Sequence, residues 1–145
     1  MNHTEMVREF SDAFLVETPT KPAIPDENIR NLRRALIGEE RDELYDSTTP
    51  TEALDAIADL LYVVEGAALA YGFTPYQVDA AFREVHRSNM SKLWTGRELD
   101  SRPEGTTWKP SGITDRYVVT NAIGKIVKSP SYSPANLKDI AEGLR

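Results

Sequence analysis

Apolar side chains recur at helical spacing along most of the first ninety residues. Met6, Val7, Phe10, Phe14 and Leu15 predict a first helix over about residues 2–16. The connector ETPTKPAIPD (17–26) carries three prolines and reads as extended. Asp26 is a suitable N-cap for a second helix reaching about Tyr45. A third helix is expected from about Thr51 to Tyr71, with Gly72 as its stop. Thr74 and Pro75 open a fourth, which runs to about Asn89 or Lys92. The third, AIADLLYVVEGAALA, is apolar nearly all round and is therefore expected to be central.

The pattern changes after Leu93. Residues 94–112 are rich in Gly, Pro, Ser and Thr and read as loop. YVVTNAIGKIVK (117–128) reads as two short β segments about a turn at Asn121–Gly124. SPSYSPANL then predicts a short terminal helix with Ser133 as cap and Pro134 at its start. The expected fold is all-α: a four-helix bundle over 1–93. A mostly non-helical C-terminal arm over 94–145 has little core of its own and packs on the bundle or a neighbouring subunit.

Composition narrows the function classes. The 145 residues fit one domain. A net charge of -6 argues against nucleic-acid coating. The absence of cysteine excludes disulfides, zinc-thiolate and iron–sulfur sites, and thiol nucleophiles, and fits a cytoplasmic location. No apolar run is long enough to cross a membrane. With two histidines only, His3 and His86, any metal chemistry must rest on carboxylates.

The acids are placed unusually. On the second helix Ile29, Leu32 and Leu36 form the apolar stripe. Glu39, Glu40 and Glu43 fall within about 60° of its centre at ~100° per residue. On the third helix Asp59 lies inside the apolar run, Asp55 is one turn earlier, and Glu52 about one turn before that. Single acid pairs usually belong to solvated faces. Two helices that both aim acids inward point instead to a divalent-cation site with oxygen ligands, suited to Mg²⁺ or Mn²⁺. A di-iron bundle is excluded, because Arg83 stands three residues before His86 where a Glu-x-x-His motif needs an acid. On the fourth helix Ser88, Asn89 and Lys92 prolong the Val78, Phe82, Val85 stripe. An amide and an ammonium near acids and a cation suggest phosphate recognition; neutralisation of a carboxylate is the plain alternative for Lys92.

These residues resemble a known pattern. GEERDEL (38–44) is similar to the Glu-Glu-x-x-Glu signature of the all-α nucleoside triphosphate pyrophosphohydrolases, the MazG-like group that includes phosphoribosyl-ATP pyrophosphohydrolase and the dimeric dUTPases. DAIADLLYVVEGAALAYGF (55–73) resembles the second motif, while EVHRSNMSKL (84–93) and GKIVKSPSYSPANL (124–137) resemble the phosphoribosyl-ATP-pyrophosphohydrolase-like branch.

The resemblance implies metal-dependent hydrolysis between the α- and β-phosphates of a (d)NTP, releasing (d)NMP and pyrophosphate in control of the nucleotide pool. It implies two or more Mg²⁺ or Mn²⁺ ions per site and a homodimer or homotetramer. Glu39, Glu40, Glu43 and Asp59 match the catalytic motif positions. Glu40, Glu43, Asp55 and Asp59 would ligate metal, Glu39 would orient the water, and Asn89 and Lys92 would contact sugar or phosphate. One departure is Ala56, where the family commonly has Glu; Asp55 is the expected substitute. Phosphoribosyl-ATP hydrolysis and a non-catalytic nucleotide- or metal-binding module are the alternatives.

Overall fold

The computed structural model describes residues 1–144. Its order is α1 (His3–Ala13), α2 (Glu27–Asp46), α3 (Pro50–Ala70), α4 (Pro75–Met90), a 3₁₀ turn (Glu98–Ser101), β1 (Thr107–Pro110), β2 (Tyr117–Thr120) and α5 (Lys138–Ala141). The all-α expectation holds, with one small antiparallel hairpin. No helix among the described residues is long and apolar enough to cross a membrane.

Local chemistry sets the helix boundaries. Asp26 caps α2 by accepting from the Ile29 N–H at 3.0 Å. Thr49 and Glu52 form a capping box at the start of α3, and Thr74 with Gln77 exchange the same pair of bonds at the start of α4. Gly72 ends the α3 turn at φ +80°, where a Cβ would lie 2.1 Å from the Lys21 carbonyl oxygen. That contact and the bond from the Ala23 N–H to the Tyr71 carbonyl pin the proline-rich connector to the end of α3.

The contacts divide the chain into two compact units, Met1–Asp79 with the terminal segment from Asp139, and Ala80–Lys138. In the first, α1 and α2 both pack on α3. Buried Thr4 of α1 donates to Glu65 of α3 at 2.6 Å. Gly66 lets the Arg33 guanidinium of α2 approach α3. Val7, Ala56, Leu69 and Ala70 are buried there, and Gln77 holds α5 by donating to the Ile140 carbonyl at 2.9 Å.

The second unit has a core of its own, Trp94, Leu99 and Val119, with Tyr117 and Val127 against it. The Trp94 Nε1–H donates to the Val127 carbonyl at 2.8 Å. Three details differ from the sequence reading. The stretch read as loop supplies both the 3₁₀ turn and β1, which pairs with β2 in the register Trp108 to Val119. The expected second β segment does not form a full strand; it pairs through a bridge from Ile126 to Thr120 and the bond from the Val127 N–H to the Val119 carbonyl. No helix starts at Ser133. There the backbone is drawn out by side chains of α4 and the turn after it: Arg87 donates to the carbonyls of Ser133 and Pro134, Ser91 accepts from the Ser133 N–H, and Glu84 accepts from the Asn136 N–H.

Candidate active site

α2 and α3 bring the five acids into one electrostatic group. Glu40 of α2 is half-buried, and its Oε2 is shut off from solvent without a hydrogen-bond partner. Its carboxyl is raised above the ordinary value, first by desolvation and then by the charges of Glu43, Asp59, Glu39 and Asp55. The four neighbours are all exposed. Asp55 thus belongs to the group that surrounds Glu40, beside Ala56, which is buried.

The acids were expected on an inner face, and here that face is open. α2 has no buried residue, and Ile29 and Leu32 of its apolar stripe are exposed. α3 is less enclosed than its composition implies. Leu54, Ile57, Leu61 and Val64, spaced three, four and three apart, are 68%, 43%, 46% and 46% exposed. That is a seam of the kind that pairs helices, left uncovered in one chain.

Glu52 does not join the acid group. It accepts from the Thr48 N–H at 2.8 Å, the Thr48 hydroxyl at 3.0 Å and the Thr49 N–H at 3.3 Å. Those bonds, led by the Thr48 N–H, hold its carboxyl below the ordinary value. His86 is exposed, as a surface histidine should be. Tyr62 is half-exposed and stands edge-on to Phe10 at 5.8 Å. Arg33 of α2 lies against Gly66 of α3, where burial lowers its pKa.

Among the described residues no three acids or histidines stand close enough to enclose a metal ion as they are. The donors nevertheless suit one. All are hard oxygens, the Glu40 oxygen is buried and unpartnered, and like charges keep such acids apart until a cation gathers them.

Asn89 and Lys92 lie in the second unit. The Lys92 ammonium donates to the Asn89 amide oxygen at 2.8 Å, and both line a cavity of about 530 Å³ walled by Met90, Ile113, Val118 and Ile126. Sequence reasoning missed Lys128 and Tyr132. The Lys128 ammonium sits 4.5 Å from the centre of the Tyr132 ring. The visible signal was the run GKIVKSPSY, in which two lysines flank an apolar pair shortly before an aromatic residue.

An acid-rich pair of helices in an all-α fold is the arrangement that defines the pyrophosphohydrolase class resembled above. The family model described as phosphoribosyl-ATP pyrophosphohydrolase (PRA-PH) matches residues 7–89, more than half of the chain. The chain belongs to this family, part of the MazG-like nucleotide pyrophosphohydrolase superfamily. It is accordingly a hydrolase of a nucleotide phosphoanhydride. No curated relative matches it.

Proposed function

We propose that this protein hydrolyses a nucleoside triphosphate of the (d)NTP class to the monophosphate and pyrophosphate. The carrying observation is the buried, unpartnered Glu40 oxygen within a group of four further acids. A fixed concentration of negative charge without a basic partner is unfavourable unless a cation is bound. Glu40, Glu43, Asp55 and Asp59 are assigned to hold two or more Mg²⁺ or Mn²⁺ ions. Such ions, when bound, offset phosphate charge and lower the pKa of water.

Glu39 is assigned to orient the attacking water and accept its proton. The water oxygen bonds to the α-phosphorus, and the bond from that phosphorus to the α,β-bridging oxygen breaks. Pyrophosphate departs with the electron pair. Asn89 and Lys92 are assigned to the sugar and phosphates; an ammonium attracts phosphate oxygens as a point charge.

The uncovered Leu54, Ile57, Leu61 and Val64 seam supports a homodimer or homotetramer. Phosphoribosyl-ATP is the second reading, supported by the description of the matching family model. Both substrates are cut at the same bond.

The test is pyrophosphate release from each common NTP and dNTP and from phosphoribosyl-ATP, with Mg²⁺ and with Mn²⁺, the monophosphate product being identified. Glu43→Gln should abolish turnover with the fold intact. Full turnover in that variant would remove Glu43 from the site. Turnover of phosphoribosyl-ATP alone would replace the first substrate with the second.

A further inference from the structure

Three features of the second unit go beyond the Asn89 and Lys92 contacts assigned above. The first is the cavity of about 530 Å³ beside Asn89 and Lys92. Its size lies within the range of small-ligand pockets, and its character, apolar walls with a few polar groups, is theirs too. Three of its apolar walls are left wet: Met90 is 40% exposed, Ile113 47% and Ile126 56%.

The second feature is the strand-like segment after the turn at Asn121. The Val127 N–H donates to the Val119 carbonyl at 2.8 Å, and its side chain packs on the unit's core. Successive side chains of extended backbone point to opposite sides. Ile126 and Lys128 are therefore the pair turned away from that core, and Ile126 lines the cavity.

The third is a cationic setting around a phenol. Tyr132 has the Lys128 ammonium over its ring, and its hydroxyl is held below the ordinary pKa by a hydrogen bond from buried Ser88 and by the charges of Lys128 and Lys92. The backbone fixes this group: the Ser129 N–H donates to the Lys92 carbonyl, the Ser129 hydroxyl to the Ser91 carbonyl at 2.8 Å, and the Tyr132 N–H to the Ser129 carbonyl. Two ammonium groups and a hydroxyl are thereby gathered in a chain whose net charge is -6.

An apolar slot beside an amide, with cations attached, has the chemistry of a nucleoside monophosphate unit. We propose that the Ala80–Lys138 unit is the nucleoside-recognition element of this enzyme. The cavity between Met90, Ile113, Val118 and Ile126 takes the base, and Lys92, Lys128 and Tyr132 take a phosphate. The base choice is then set by these cavity walls. This inference rests on the nucleotide-hydrolase reading.

The test uses the full chain and titration calorimetry with a panel of nucleoside monophosphates and with inorganic phosphate, alongside KM for the best triphosphate. Ile113→Trp fills the slot from an exposed position. It should weaken the best monophosphate about tenfold or more, raise KM, and leave phosphate binding unchanged. Lys128→Gln, at the exposed face of the segment, should weaken monophosphate and inorganic phosphate alike. If the wild type turns over a nucleotide and both variants bind and turn it over as the wild type does, the inference is overturned while the hydrolase reading stands. If Ile113→Trp alters only the sedimentation of the protein, the slot is a subunit contact and the inference is likewise overturned. A wild type that neither binds nor cleaves any nucleotide would sink the hydrolase reading itself.

Discussion

Replacing Glu40 with Gln should change the stability of the protein in opposite directions with and without metal. The carboxyl of Glu40 is raised above its ordinary value of 4.5, by desolvation and by four like charges. The sign follows from linkage. An acid whose pKa is higher in the folded than in the unfolded state binds its proton more tightly when folded. Its favourable contribution is complete below the ordinary value and is lost as the pH rises through the raised one. In chelator, the contribution of Glu40 to the wild type should therefore fade from about pH 4.5 upward through that window. Glu40→Gln carries no charge at any pH, so it should melt above the wild type at pH 7.5, with the gap closing toward pH 4.5.

Adding Mg²⁺ or Mn²⁺ reverses the order. A ligand that binds only the native state at a hundred times its Kd stabilises it by about 2.7 kcal/mol. For a chain of this size each kcal/mol shifts Tm by roughly 2–4 °C. The wild type should thus gain roughly 5–10 °C, and Glu40→Gln, lacking a charged ligand oxygen, should gain far less. Thermal unfolding followed by circular dichroism, with and without metal at both pH values, reads all four states. A variant no more stable than the wild type in chelator at pH 7.5 would refute the repulsion argument. A variant with the full metal gain would remove Glu40 from the ligand set.

Two stability predictions follow from packing. Leu69 is fully buried in α3, so Leu69→Ala should cost ~2–5 kcal/mol in chemical denaturation; a loss well below that would mean that the core closes over the gap. Gly72→Ala sets a Cβ 2.1 Å from a backbone oxygen at φ +80°. It should lose at least the ~1–2 kcal/mol of left-handed backbone, and equal stability would show that the connector moves aside freely.

What could be read in the sequence was local. The caps at Asp26 and Thr74 and the stop at Gly72 depend on residues a few positions apart, and they stand where the spacing placed them, while the Thr49 cap starts α3 at Pro50, one residue before the expected Thr51. β1 was invisible because all four of its residues are exposed and it ends in Pro110, so no alternation marks it. The Ser133–Pro134 helix signal was overridden by Arg87, Ser91 and Glu84, which are more than forty residues distant in the chain. Helical phase put the five acids together, yet it placed them on a covered face. An apolar stripe records what must be shielded from water in the working assembly. It does not say whether the same chain supplies the cover, and the exposed Leu54–Val64 seam is the consequence.

The family match ends at residue 89, within α4 and before the cavity's Ile113, Val118 and Ile126. That boundary has a chemical meaning. Hydrolysis of a phosphoanhydride needs acids at helical spacing, and any nucleotide offers the same phosphates to them. Discrimination among nucleotides needs a shaped slot, because one changed group in an apolar pocket alters binding by only about 1–3 kcal/mol, and unpaired polar groups alter it by more. The helices before residue 89 therefore carry the reaction class in their sequence. On the proposal above the choice of base is carried mostly by side chains outside that match, and the Trp94, Leu99 and Val119 core gives the segment holding them an order of its own. A chain with the same acids and a different segment after α4 should keep the reaction and change the substrate.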